Sequence, residues 1–200
     1  RQRQMCIRDS SKDIDMDKLM EFLPFMLEGA VVTVELFVLT LVISLPLGLP
    51  IALGSNSRIK PLSFLCKVYV WIFRGTPLLL QLFFFYFFFP LVLVIQMNAF
   101  ITVVFTYVLN YAAYFAEIYR GGINSIDRGQ YEAAHALGLS RRQTMGDIIL
   151  PQTMKAILPP VVNEAITLVK DTALASSLPV IELMKATNSA VNRMTDMTPF

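Results

Sequence analysis

Four charged side chains sit within or beside otherwise apolar stretches of this chain: Arg74, Glu164, Lys170 and Asp171. Ionisable groups at membrane depth pair with one another, face a water-filled cavity or meet a charged solute. The chemistry they offer is recognition: a guanidinium holds a carboxylate, and a carboxylate holds an ammonium. Adjacent opposite charges at Lys170 and Asp171 suit a zwitterion. Thr76 joins the candidates because Pro77 has no backbone N–H and disfavours helix at the residue before it. The break at "RGTP" therefore frees backbone groups to line a cavity. Internal pairing that holds helices together explains the same charges, and the residues alone leave both readings open. Glu35 and Glu117, near the ends of apolar runs, belong to the same set.

A second constellation is "YEAAHALGLSRRQTMGDIILPQ", from Tyr131 to Gln152. It carries stop, corner and restart signals in quick succession. Asp127 is placed to cap a helix over about Arg128 to Leu137, with Gln130 in position to answer it. Ala133, Ala134 and Ala136 favour helix and keep it slim. Gly138 falls where a helix ends in the left-handed conformation. Ser140 and Gln143 have capping-box spacing for a second helix, and Pro151 ends that helix or starts the next. Arg141 and Arg142 fall in the first turn, against the helix dipole. Either lipid phosphate or an acidic protein surface compensates them. A solvated loop beside a membrane is the plain alternative for the segment, and pairing with Arg128 is the plain alternative for Glu132.

Bond-making chemistry has little support. There is no Gly-x-x-x-x-Gly-Lys run to cradle phosphate. The single histidine, His135, excludes a histidine metal cluster and reads as a surface residue. Cys6 and Cys66 have no metal spacing and give no disulfide framework. No metal, no cofactor and no catalytic residue is expected. A net charge of +2 argues for no special partner, nucleic acid included.

The elements that position these residues are membrane helices. The 200 residues are 55% hydrophobic, and no residue from Gly75 to Ala116 or from Leu36 to Gly54 is charged. A helix crosses a bilayer with roughly 20 apolar residues. The fold class is therefore all-α, a polytopic transmembrane bundle with about four spans. They cover about Gly29–Leu53, Leu62–Phe89 with a break near Gly75, Ala99–Tyr119 and Met154–Leu174, with "PLVLVIQMN" as the turn before the third. The last is weaker because it holds Glu164 and Lys170. The phenylalanine run Phe83 to Phe89 reads as lipid or helix packing.

Residues 1–10 contain no apolar core, so they are not a signal peptide, and they read as adapter-derived. Residues 11–28 form an acidic segment on the outer face. Residues 29–177 form the transmembrane domain, with a polar cytoplasmic segment at 120–152, and residues 178–200 form an outer segment of an incomplete C-terminus. Basic residues set this orientation. Arg58 and Lys60, and then Arg120, Arg128, Arg141 and Arg142, mark the cytoplasmic loops, while the loop at 90–98 has none.

Glu132, Ala133, Ala134, Gly138, Ile148, Leu150 and Pro151 complete the pattern Glu-Ala-Ala, three residues, Gly, nine residues, Ile, one residue, Leu-Pro. This resembles the EAA loop of the permease subunits of bacterial ABC importers. "FRGTPLLLQLFF", "AAYFAEIYRGGINSIDRGQ" and "LVKDTALASSL" resemble the polar amino acid branch of that family. The resemblance covers about Phe22 to Leu178. It implies a dimeric helical permease in the bacterial cytoplasmic membrane, paired with itself or a sister subunit. Two ATPase subunits would grip the EAA loop at Glu132, Ala133, Ala134, Gly138, Ser140, Arg141, Arg142, Ile148 and Pro151, and a solute-binding protein would dock outside. Transport would proceed by alternating access, with ATP hydrolysis in the partner. A fifth span, usual in such permeases, would be missing by truncation. Glutamine, arginine, histidine, cystine and opine-like solutes all fit the sequence. An ATPase-independent secondary transporter or channel subunit, or a membrane scaffold, is the rival class.

Overall fold

The computed structural model describes residues 16–196. Residues 1–15, which hold the suspected adapter segment, and 197–200 lie outside the described residues. The first helix, α1, runs over Met16–Ser55 with Pro24, Pro46 and Pro50 inside it. It passes without interruption through the boundary at Gly29 where an outer segment was expected to give way to a span. Leu36, Thr40, Ser44, Gly48 and Ala52 are buried, while Val34, Val38, Val42 and Leu53 are exposed. The buried set repeats every fourth residue, so it forms one stripe down the helix.

That stripe packs on α4, Ala99–Asn124, the central helix of the molecule. α4 buries Val103, Tyr107, Tyr111, Ala112, Phe115 and Ala116. The contact is close because it is made of small residues. A Cβ on Gly48 would lie 2.9 Å from Phe115 Cβ, 3.1 Å from the Ala116 nitrogen and 3.2 Å from the Ala112 oxygen. Small residues at helix crossings are how membrane helices gain van der Waals contact without help from water.

Between α1 and α4 lie α2, Lys60–Gly75, and α3, Leu78–Val92. They meet at 108° across Thr76 and Pro77. The expected break near Gly75 is therefore a sharp corner rather than a kink in one straight span. Pro90, assigned from sequence to the turn, is inside α3. The link to α4 starts only at Leu93, and Asn98 caps α4 by accepting from the Phe100 N–H at 2.9 Å. The phenylalanines of α3 pack on their neighbours in the same helix and on Phe105 of α4.

After α4 come α5, Arg128–Ala136, and α6, Arg141–Gln143. A π-helical segment, Thr144–Ile149, joins α6 to α7, Leu150–Asp171. Pro151 was expected to end this helix or to start the next. It stands in the first turn of α7, so it starts the next helix, and no stop precedes it, because the backbone stays helical from Arg141 to Asp171. Proline cannot complete the ordinary bond to the carbonyl four residues back and its ring crowds that carbonyl. A widened turn immediately before it removes the conflict, and the Leu150 N–H reaches back to the Met145 oxygen. A 3-10 turn, Thr172–Ser177, follows α7, and α8, Leu183–Asp196, returns to α1. Glu182, only 1% exposed, caps α8 by accepting from the Met184 and Lys185 N–H groups at 2.8 and 2.7 Å.

Among the described residues, α1 and α4 are long and apolar enough to cross a membrane, and α2 with α3 make a third span if the bent pair is one. α7 has the length, at about 33 Å for its 22 residues, but carries Lys155, Glu164, Lys170 and Asp171. The outward faces are apolar: Trp71 and Leu91 are each 76% exposed and Val31 65%. Large apolar side chains exposed in such number suit contact with lipid or a partner.

Candidate functional site

The corner between α2 and α3 is held by two buried amides. Pro77 cannot donate to the Phe73 carbonyl, which is left without its helical partner. Gln81 Nε2 donates to that carbonyl at 2.9 Å and Asn110 Nδ2 donates to it at 3.0 Å. Asn110 Nδ2 also donates to Gln81 Oε1 at 3.0 Å, and Gln81 Nε2 donates to the Thr76 carbonyl and hydroxyl. An irregular backbone in an apolar setting persists only where its polar groups are satisfied in this way. Sequence reasoning missed both amides. Their signal was an amide side chain in the interior of an apolar, charge-free helix stretch.

The corner forms one wall of a cavity of about 590 Å³. Arg74 and Thr76 line it from the corner, Asn110, Tyr111 and Tyr114 from α4, and Glu164, Thr167 and Asp171 from α7. Four of the five candidate charged and polar residues are thus brought together. Lys170 is not among them; it is exposed and points elsewhere. Glu164, Thr167 and Asp171 are three and four residues apart and share a helix face, whereas Lys170 is turned by about 100° from Asp171. The expected Lys170–Asp171 couple therefore does not face one site. Tyr111 Oη donates to Asp171 Oδ2 at 2.7 Å, and Tyr107 Oη donates to the Asp171 carbonyl at 2.6 Å. The first holds the carboxylate and the second holds the backbone that carries it. No described residue forms an ion pair with Glu164 or Asp171. Arg74 lies 5.2 Å from the Tyr114 ring centroid and 3.9 Å from Glu117.

The second constellation is at the far end of α7. Asp127 accepts from the Gly129 N–H at 2.6 Å and starts α5. Gln130 does not close a capping box with it; its oxygen accepts from Gln152 Nε2 at 3.2 Å, tying α5 to α7. Gly138 has φ of +73°, and the Leu139 and Gly138 N–H groups donate back to the Ala134 and His135 carbonyls. That is the two-bond helix stop for which a left-handed glycine is suited. Ser140 and Gln143 form the capping box. α5 packs on the π segment, with Ala134 and Ile149 each 1% exposed. Glu132, Ala133, Ala136 and Leu137 face outward, Leu137 being 78% exposed. Glu132 makes no ion pair with Arg128, and Arg141 and Arg142 are exposed without an ion pair among the described residues. His135 is exposed beside a pocket of about 280 Å³ that Tyr131, Arg141 and Thr144 also line. Ile148 is half-buried, and Pro151 is exposed.

Residues 44–193 match a family described as the binding-protein-dependent transport system inner membrane component. The chain belongs to this family. The transport component is 40% identical over 173 residues to the arginine transport system permease protein ArtQ of Bacillus subtilis (strain 168), covering 86% of this chain and 79% of that one. It is 39% identical over 161 residues to the putative glutamine transport system permease protein GlnP of Rickettsia prowazekii (strain Madrid E), covering 80% and 74%. A crystal structure described as an amino acid ABC transporter with histidines superimposes with a TM-score of 0.83 at 34% identity, covering 92% of this chain and 85% of that one. The inward-facing MetNI methionine ABC transporter shares the fold, with a TM-score of 0.61 at 18% identity.

Proposed function

We propose that this transport component is the permease subunit of an ATP-driven importer that carries a polar amino acid across the bacterial cytoplasmic membrane. The supporting observation is mechanical. One unbroken helical path, from Arg141 through the π segment to Asp171, has the exposed corner at one end and the cavity carboxylates at the other. Its 31 positions span about 45 Å at the helical rise. A push on α5 and Gly138 is thereby carried along one helix to Glu164 and Asp171, with the Pro159–Pro160 pair as the place where that helix can bend. The cavity offers what a zwitterion requires: Arg74 for the carboxylate, with Glu164 and Asp171 for the ammonium. Relatives whose names specify arginine, glutamine and cystine support the amino acid class.

In this reading the chain is not catalytic and needs no metal or cofactor. Two ATPase subunits dock on Glu132, Ala133, Gly138 and the Arg141–Arg142 turn. A solute-binding protein delivers the amino acid from outside, and a second permease subunit, identical or sister, completes the pathway. ATPase closure moves α5 as a lever, and α7 re-orients the cavity between the two sides.

The test is reconstitution with its ATPase and binding protein in vesicles, with uptake measured for radiolabelled arginine, glutamine and cystine. Uptake that requires both ATP and the binding protein is the expected result. Uptake indifferent to ATP would place the chain among secondary transporters.

A further inference from the structure

A second cavity of about 540 Å³ lies against the first on the Asn124 side of α4, lined by Lys67, Glu117 and Arg120 among others. Arg74, Gly75 and Tyr114 line both cavities. The two are therefore neighbours, and these three residues form the partition between them. Arg74 carries the only charge on that partition.

The Arg74 guanidinium rests over the Tyr114 ring, 5.2 Å from its centroid. Its charged partner is Glu117, with Nη1 3.9 Å from Oε1. Glu117 is itself fixed. Arg120 grips it with two parallel donors, Nε to Oε2 at 2.9 Å and Nη2 to Oε1. A bidentate fork of this kind sets the plane of a carboxylate. Glu117 and Arg120 are three residues apart on α4, so the clamp needs no other helix. The carboxylate is thus held by its own helix and offers its remaining capacity to Arg74 on α2. On the opposite side Arg74 faces the cavity that holds Glu164 and Asp171.

We infer that Glu117 is the positioning residue that holds Arg74 across the partition, so that breaking the Glu117–Arg74 contact joins the two cavities into one passage. The inference rests on the permease reading above. A solute carboxylate entering the first cavity competes with Glu117 for the same guanidinium. Occupancy and opening are thereby linked by one shared cation.

Thr167 supplies a direct probe, because it lines the first cavity and not the second. The experiment uses the assembled complex in vesicles, with Cys6→Ser, Cys66→Ser and Thr167→Cys, and a membrane-impermeant maleimide added to either face. With Glu117 present, the thiol reacts faster from one face. Glu117→Gln is expected to raise the slower rate by about fivefold, the scale a half-exposed ion pair supports, and Glu117→Asp to restore part of the barrier. Arg74→Gln is expected to match Glu117→Gln, and the double variant to react no faster than either single, because coupled partners are not additive. Arg74→Gln also serves if Glu117→Gln fails to assemble. Unchanged labelling in Glu117→Gln, or additive effects in the double variant, would overturn the inference. The readout does not require transport: wild-type vesicles without ATP-driven uptake would refute the permease reading while the labelling still judged the partition.

Discussion

Asn110 Nδ2 donates to the Phe73 carbonyl at 3.0 Å, linking the middle of α4 to the last full turn of α2 across 37 residues of sequence. Pro77 strands that carbonyl, and Gln81 alone does not exhaust its capacity. Asn110→Leu removes this donor and also the one that reaches Gln81 Oε1. A buried polar group left without a partner costs about 1–3 kcal/mol. The variant is expected to denature at lower temperature in detergent than the parent protein. An unchanged melting point would mean that the corner is held by packing, not by its amides.

Gly138 tests the other end of the molecule. Its φ of +73° lies in the region that β-branched residues avoid. Nothing lies within 4 Å of a Cβ at this position, so the penalty is conformational and not steric crowding from neighbours. Gly138→Val is expected to insert in the membrane yet lose ATP-driven uptake, because the turn between α5 and α6 opens. Gly138→Asn, which tolerates the left-handed conformation, is expected to retain most uptake. Equal uptake by glycine, asparagine and valine forms would remove the corner from the coupling path.

Gly48 and Gly75 predict opposite responses to one methyl group. At Gly48 the methyl meets Phe115 Cβ and the backbone of Ala112 and Ala116, none of which is the movable tip of a side chain. At Gly75 it meets open space. Alanine ordinarily favours helix over glycine by about 1 kcal/mol. Overpacking a close contact costs about 1–3 kcal/mol. Gly48→Ala is therefore expected to lower the melting temperature and Gly75→Ala to leave it level or raise it. The crossing of α1 and α4 is looser than described if both variants behave alike.

Much of the Gly138 corner was legible because its signals are local. Asp127, Gly138, Ser140 and Gln143 each act within a few residues of themselves, through caps and a left-handed turn. The cavity was legible only as a set of suspects. Charges in apolar sequence announce themselves, but which of them converge depends on how α2, α4 and α7 cross. Asn110 and Gln81 are bound to a break whose location was clear, yet nothing local says that α4 passes beside it. The π segment was invisible for a related reason: Pro151 predicts a conflict, and a stop and a widened turn both resolve it. Lys170 was misplaced for a simpler reason. Adjacent residues share a sequence neighbourhood but not a helix face.

That geometry makes Lys170 and Asp171 the sharpest pair for testing the cavity. Asp171 lines it, with one oxygen held by Tyr111 and no ion pair among the described residues to neutralise it. Lys170 is exposed outside it. If the cavity carboxylates receive the ammonium of an amino acid, Asp171→Asn removes a charge from the binding step but keeps the side-chain shape and a hydrogen-bonding oxygen for Tyr111. A hydrogen bond to a charged group contributes about 1.5–3 kcal/mol, so the apparent KM for uptake is expected to rise by about tenfold or more. Lys170→Ala is expected to leave KM within about twofold, as surface substitutions commonly do. Uptake kinetics in vesicles with saturating ATP and binding protein separate the two. A larger KM change for Lys170→Ala than for Asp171→Asn would shift the solute path to the other face of α7. Equal maximal rates with a raised KM in Asp171→Asn would assign the carboxylate to binding and leave the lever motion to the rest of the helix.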